Sequence, residues 1–95
     1  MDILSEMDNG LKINHRGSVD TGIIEEVFSL DLYKVDQIPK HSVVIDIGAH
    51  IGTFSLRCAY ERDCTVYSYE ACKENYKLLL DNIKINNLDN KIKMY

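Results

Sequence analysis

The chain has 95 residues, of which 45% are hydrophobic and 27% charged, and its formal net charge is −4. This composition predicts one small globular core and leaves no room for a second. The net negative charge argues against a nucleic-acid partner. No apolar run reaches the roughly 18 residues that a membrane-spanning helix needs. The three cysteines lack paired spacing and the N-terminus lacks a basic leader, so a cytoplasmic location is expected.

A lead-in is predicted over residues 1–40. Alternating apolar and polar residues at 11–14 predict a short strand. A helix is expected to follow, capped by Asp20 or Thr21 and running to about Phe28. A second short helix or turn then ends at the single proline of the chain.

The rest of the chain, residues 41–95, alternates strands and helices. The predicted elements are a strand at 42–47, a helix at 53–60, a strand at 65–69, a helix at 73–86 and the start of a strand at 92–95. The first strand is apolar on both faces, which is typical of a strand buried on both sides of a parallel sheet. This alternation predicts an α/β fold with right-handed crossovers.

The turn after the first strand carries the pattern Asp46-x-Gly48-x-x-x-Gly52. A dinucleotide fingerprint would require glycine at two positions that hold His50 and Thr53, so that class of ligand is excluded. Glycines let a ligand approach the backbone, and the start of the next helix offers free N–H groups to a carboxylate. An acidic residue at the strand end suits an ammonium group. The loop therefore predicts a ligand with an amino-acid head.

A second acidic residue, Glu70, follows the next strand. Because parallel strands bring their carboxyl ends to one edge of the sheet, Glu70 is expected to lie beside Asp46. A carboxylate at this position can accept both hydroxyl groups of a ribose. An amino-acid head and a ribose in one ligand indicate S-adenosylmethionine.

These two segments, 44–55 and 66–70, resemble class I S-adenosylmethionine-dependent methyltransferases, and especially the FkbM family. The resemblance covers roughly residues 18–95. It implies a Rossmann-like fold with a seven-stranded sheet, of which this chain supplies about three core strands, so residues 41–95 are expected to be the first half of the domain. It also implies cofactor contacts, the methionine end being lined by Asp46, Gly48, Ala49, His50 and Gly52 and the ribose by Glu70.

The family resemblance implies an enzyme that methylates a hydroxyl group on a sugar, glycolipid or secondary metabolite. The expected partner is a small-molecule or glycan acceptor, with no membrane and no nucleic acid. No catalytic residue is predicted in this chain, because the residues that bind the methyl acceptor are expected after Tyr95. No metal ligand is predicted either. The chain alone is therefore expected to methylate poorly, and its exposed sheet edge predicts pairing with a second copy.

Two alternatives remain open from the sequence. Some tRNA guanine methyltransferases share a D-x-x-A-x-x-G-x-F-S run, which this chain matches from Asp46 to Ser55, and an asparagine-rich helix. The chain could thus be a fragment of an RNA methyltransferase. It could also be a non-catalytic module that binds S-adenosylmethionine or a partner chain.

Overall fold

The structure is a computed structural model and describes residues 2–95. Its elements, in chain order, are β1 (Ile3–Glu6), β2 (Lys12–His15), α1 (Ser18–Val27), one turn of 3-10 helix (Val35–Gln37), β3 (Val43–Ile47), α2 (Thr53–Arg62), β4 (Thr65–Tyr69), α3 (Lys73–Ile85) and β5 (Ile92–Met94). Every predicted element is present with its ends shifted by a few residues. Strand β1 was not predicted.

β1 and β2 form an antiparallel hairpin in which Glu6 lies opposite Lys12. The connection contains Asn9 and Gly10, a dipeptide typical of hairpin turns. Gly10 has a φ of 95°, and the Asn9 side-chain oxygen accepts a hydrogen bond from the Leu11 N–H at 2.9 Å. The Asn-Gly pair was therefore the sequence signal for the missing strand.

β3, β4 and β5 form a parallel sheet in that order, which confirms the α/β, Rossmann-like fold. Both crossovers run in the same direction across the sheet, so two right-handed connections place α2 and α3 on the same face. Val66 and Ser68 of β4 are buried under these helices. The opposite face of β3 is open, and Ile47 is 82% exposed. The prediction that β3 is buried on both faces is therefore wrong for this chain.

The hairpin and the α/β segment share one hydrophobic core. Leu11 and Ile13 of the hairpin are fully buried in the same cluster as Leu56 of α2 and Leu79 of α3. A buried amide adds polar links, because Asn82 bonds both the N–H and the carbonyl of Asn14 and also the carbonyl of Ile51. The division of the chain at residue 40 stays a prediction.

Within residues 2–95, no helix is both long enough and apolar enough to cross a membrane. The cytoplasmic location stays a prediction.

Candidate functional site

The predicted loop runs from the end of β3 to the start of α2 and is fixed over the neighbouring strand. The N–H groups of Gly48 and Ala49 both donate to the carbonyl of Tyr69, at 2.8 and 3.0 Å. Tyr69 is the last residue of β4, so the loop is fixed across the carboxyl ends of two parallel strands. This edge is where α/β sheets bind their ligands.

The two glycines of the loop have different roles. Both have positive φ, 76° at Gly48 and 98° at Gly52. A Cβ on Gly52 would lie 2.4 Å from Leu79 Cδ1, so a side chain at this position would force the buried Leu79 side chain to shift. A Cβ on Gly48 would meet no atom of residues 2–95 within 4 Å. The space above Gly48 is therefore open to a ligand.

Asp46 is the acidic residue at the end of β3, and its side chain is partly buried. The Ser55 hydroxyl donates to Asp46 Oδ2 at 2.6 Å and lies 2.6 Å from the hydroxyl of Ser68. Burial raises the pKa of the Asp46 carboxyl, the hydrogen bond from Ser55 opposes this, and the negative charge of Glu70 adds to the rise. A cation bound here would remove the penalty of burying the charge.

Glu70 is placed beside the loop, as predicted, but its carboxylate already has two backbone partners. Oε1 accepts the N–H of His50 at 2.6 Å, and Oε2 accepts the N–H of Cys72 at 2.9 Å. The first of these bonds connects Glu70 to the loop that follows the other strand. Each carboxylate oxygen keeps a second lone pair for another donor.

Two cavities meet at Gly48. The first, of about 270 Å³, is called here the loop cavity; it lies between the loop and the lead-in. Four predicted residues line it, namely Asp46, Gly48, Ala49 and His50. The second, of about 510 Å³, is called the strand-end cavity and is lined by Gly48, Glu70 and Tyr95 among others. Gly52 lines neither of these two.

The lead-in supplies one wall of the loop cavity. Glu26 and Val27 of α1 line it together with Tyr33. The ring of Tyr33 packs against Phe54, with 5.1 Å between centroids. These residues reach the loop through tertiary packing.

Asp20 or Thr21 was expected to cap α1, but Gly17 is the N-cap residue and no side-chain hydrogen bond caps the helix. The helix begins at Ser18, after Gly17, and Asp20 lies within the first turn. Its side chain is fully buried and pairs with Arg16 at 2.9 Å. Asp20 Oδ1 also lies 3.3 Å from Nε2 of His50, in the loop. The buried acid therefore contacts the glycine loop instead of capping the helix.

Two buried polar atoms beside the loop cavity have no hydrogen-bond partner within the described chain. They are Nδ1 of His50 and Oγ1 of Thr53. Thr53 is the first residue of α2, where helix N–H groups are free and the helix dipole is positive. Unpaired buried polar atoms are rare in folded proteins and are expected to acquire a partner such as a ligand or water.

Among the described residues, no group of three or more His, Cys, Asp or Glu side chains is arranged to hold a metal ion.

Comparison with known proteins identifies the relatives of this chain. The model of the TRM5/TYW2 methyltransferase domain family matches residues 31–95. A tRNA (guanine(37)-N(1))-methyltransferase of Mus musculus is 36% identical over 53 residues, which are 56% of this chain and 10% of the relative. The chain thus spans about a tenth of the length of the curated relatives it matches.

Solved structures share the fold at low sequence identity. The crystal structure of P. horikoshii TYW2 in complex with MeSAdo superimposes with a TM-score of 0.73 and 20% identity, over 99% of this chain and 35% of that one. The complex of aTrm5 and tRNALeu gives a TM-score of 0.70 and 20% identity, over 98% and 27%. At this identity the likeness supports the Rossmann-like methyltransferase fold alone.

These relatives confirm the class I methyltransferase prediction and correct two finer ones. The matching family is TRM5/TYW2, and not FkbM. The expectation of a small-molecule or glycan acceptor without nucleic acid is wrong, because the relatives are tRNA methyltransferases. The net charge of −4 misled this prediction, since the stretch of this chain that matches those relatives covers only about a tenth of their length. The charge of a cofactor-binding stretch says little about an RNA-binding surface elsewhere.

Proposed function

Because the chain belongs to the TRM5/TYW2 methyltransferase family, we propose that it binds S-adenosylmethionine as the cofactor-binding part of a tRNA methyltransferase. One observation carries the proposal: the carboxylates of Asp46 and Glu70 flank the open backbone of Gly48 at the ends of paired parallel strands. Residues 41–95 would carry this site, and residues 1–40 would form one wall of it. When bound, the cofactor supplies an electrophilic methyl group on its sulfonium.

The loop cavity suits the methionine end of the cofactor. Asp46 offers a carboxylate that burial disfavours as an unpaired charge, so an ammonium group is a suitable partner. The N-terminus of α2 offers N–H donors to the cofactor carboxylate, and the unpaired hydroxyl of Thr53 lies at the same helix end. Ala49 and His50 would line this end as well.

The strand-end cavity suits the adenosine end. The remaining lone pairs of Glu70 can accept the two ribose hydroxyls while its bonds to the backbone hold the carboxylate still. Tyr69 and Tyr95 stack with 4.9 Å between ring centroids and offer an apolar surface beside it. Gly52 would act through packing, since its lack of a Cβ leaves room for the Leu79 side chain.

The acceptor is proposed to be a guanine base of tRNA. The support is the identity of 36% to tRNA (guanine(37)-N(1))-methyltransferases across 53 residues. The D-x-x-A-x-x-G-x-F-S run, from Asp46 to Ser55, is consistent with this acceptor class.

Calorimetry with S-adenosylhomocysteine tests the cofactor, with NAD as the matched control ligand. We expect saturable binding of S-adenosylhomocysteine and no binding of NAD. The variant Glu70→Gln should bind S-adenosylhomocysteine at least about tenfold more weakly than wild type, because hydrogen bonds to a charged acceptor are lost. Binding of NAD instead, or binding of neither ligand, would overturn the proposal.

Methyl transfer tests the acceptor. The protein in its longest expressed form is incubated with labelled S-adenosylmethionine and two tRNA transcripts that differ only in guanine or adenine at position 37. We expect label in the guanine transcript alone. Equal labelling of both transcripts would contradict the proposed base, and labelling of neither would contradict tRNA as the acceptor.

A further inference from the structure

The carboxylate of Glu70 is held by donors from two different elements. Oε1 accepts the N–H of His50, in the loop after β3, at 2.6 Å, and Oε2 accepts the N–H of Cys72, the residue before α3, at 2.9 Å. A functional side chain keeps its orientation when the groups that bond to it keep theirs. The orientation of this carboxylate therefore depends on how the loop is joined to α3.

Arg16 joins these same two elements from the lead-in. Its Nη2 lies 3.2 Å from Nε2 of His50 and also donates to Oδ1 of Asn75 at 2.7 Å. Because a guanidinium can only donate, Nε2 of His50 is the acceptor of the first bond. Asn75 lies in the first turn of α3, three residues after Cys72. One guanidinium nitrogen thus connects the two elements whose backbone N–H groups hold Glu70.

Asp20 fixes the direction of that guanidinium. Its side chain is fully buried, Oδ2 accepts the backbone N–H and the Nε–H of Arg16 at 2.7 and 2.9 Å, and Oδ1 accepts Nη2 at 2.9 Å. Paired bonds to a planar guanidinium define its orientation as well as its position. Nη2 has two hydrogens for three acceptors, so one hydrogen is shared between two of them. Asp20 thereby directs Nη2 to the loop and to α3.

His50 has a backbone conformation that needs support from its surroundings. Its φ is 59°, in the left-handed region that is uncommon outside glycine. A residue in this region costs free energy and persists where neighbouring contacts hold it. His50 is held at its side chain by Arg16 and at its N–H by Glu70. Loss of the side-chain bond should therefore loosen the bond at the N–H as well.

We propose that Arg16 is a positioning residue, which orients the Glu70 carboxylate towards the ribose hydroxyls of the cofactor by holding the loop to α3. This inference rests on the proposed function of Glu70. Arg16 needs no contact with the cofactor, because its effect passes through the two backbone donors of that carboxylate. The lead-in thereby takes part in ribose recognition, in addition to forming one wall of the loop cavity.

The first test needs no ligand, because amide ¹H–¹⁵N spectra of the free 95-residue chain report the bond from His50 to Glu70. An amide proton in a short bond to a carboxylate resonates downfield, and Glu70→Gln identifies that resonance by moving it upfield. Arg16→Lys keeps a positive charge beside Asp20 but lacks the planar fork that reaches both elements, so it should move the His50 amide proton upfield too. An unchanged resonance in folded Arg16→Lys would overturn the proposal. If Arg16→Lys does not fold, Asn75→Ala decides by the same criterion, since it removes the bond to α3.

The second test compares S-adenosylhomocysteine with its 2′-deoxy analogue, which lacks one ribose hydroxyl. Wild type should prefer S-adenosylhomocysteine about tenfold in calorimetry, because that hydroxyl donates to a charged acceptor. In Arg16→Lys and in Asn75→Ala the preference should fall to about twofold, since the carboxylate is no longer held in position. A general loss of stability would weaken both ligands alike and leave their ratio unchanged.

Asn86→Ala is the matched control, because Asn86 joins the other end of α3 to the lead-in. Its side chain bonds both the N–H and the carbonyl of Lys12, at 2.9 and 2.7 Å, and it lines neither cavity beside Gly48. The variant removes bonds of the same kind from the same helix. It should lower stability and keep the wild-type preference for the ribose hydroxyl.

The outcomes separate the two claims. A preference that stays near the wild-type value in Arg16→Lys and Asn75→Ala, or that falls equally in Asn86→Ala, would refute the positioning role and leave the proposed function standing. A wild-type chain that binds neither ligand would refute the proposed function and, with it, the role of Arg16. Equal binding of the two ligands by wild type would refute the ribose contact of Glu70 on which that role depends.

Discussion

The variant Asp46→Asn should make the chain more stable and a poorer cofactor binder. Burial of the carboxylate raises the pKa of Asp46, although the bond from Ser55 opposes the rise and Glu70 reinforces it. The folded chain therefore binds a proton more readily than the unfolded chain does, and stability falls as pH rises from the ordinary aspartate pKa through the raised value. The penalty of burying the charge is therefore larger at neutral pH than near pH 4.

The asparagine amide removes this charge and still accepts the Ser55 hydrogen bond, which is 2.6 Å long in the wild type. We expect the free energy of unfolding at pH 7 to rise by about 1 kcal/mol, the usual scale of a single stabilising substitution. The same variant loses a charge-assisted hydrogen bond to the cofactor ammonium, worth about 1.5–3 kcal/mol, so S-adenosylhomocysteine should bind about ten- to a hundredfold more weakly.

Urea denaturation at pH 7 and near pH 4, together with calorimetry at pH 7, measures both effects. The stability gain should shrink near pH 4, because the wild-type carboxyl is protonated more readily in the folded chain than in the unfolded chain. Asp36→Asn is the control, since Asp36 is exposed and lines neither cavity beside Gly48. A variant that is less stable at pH 7 and binds as wild type does would refute the reasoning for Asp46.

Three other predictions concern packing and reactivity. In urea denaturation, Gly52→Ala should lower the free energy of unfolding by about 2–4 kcal/mol, because it adds backbone strain and overpacking. Gly48→Ala should lower it by only about 1 kcal/mol, and it should weaken the binding of S-adenosylhomocysteine in calorimetry. Asn82→Ala should cost about 3 kcal/mol in urea denaturation because buried backbone groups lose their partners, and a loss below about 1 kcal/mol would contradict this. A thiol reagent should label Cys72 rapidly in the folded chain and Cys58 only in urea, because Cys72 is exposed while burial raises the pKa of Cys58 to about 12; rapid labelling of both would contradict the structure.

The elements that could be predicted from sequence are those with a strong local pattern. The β-branched run of β3, the helical spacing in α3 and the positions of Asp46 and Glu70 all follow from short-range order along the chain. The parallel pairing of β3 with β4 then brings the two acids to one edge without further information.

The features that were missed depend on contacts between distant parts of the chain. Asp20 looked like a helix cap because its local surroundings suit one, but its buried side chain contacts His50, which lies far along the chain. The open face of β3 follows from the direction of both crossovers, which apolar composition cannot reveal.

The acceptor was misjudged for a related reason. The loop from Asp46 to Gly52 recognises the cofactor, and families with different acceptors share that chemistry. The sequence therefore predicted the cofactor correctly at the level of the family, while the choice between FkbM and TRM5/TYW2 depended on similarity over a longer stretch.

Amide ¹H–¹⁵N spectra recorded with S-adenosylhomocysteine can locate the cofactor on the chain. We expect the largest shifts at Gly48, Ala49 and Glu70, at the edge shared by β3 and β4. A further cavity of about 410 Å³, between the hairpin turn and Phe28, provides the contrast. Shifts confined to that cavity, or no shifts at saturating ligand, would contradict the assignment of the loop as the cofactor site.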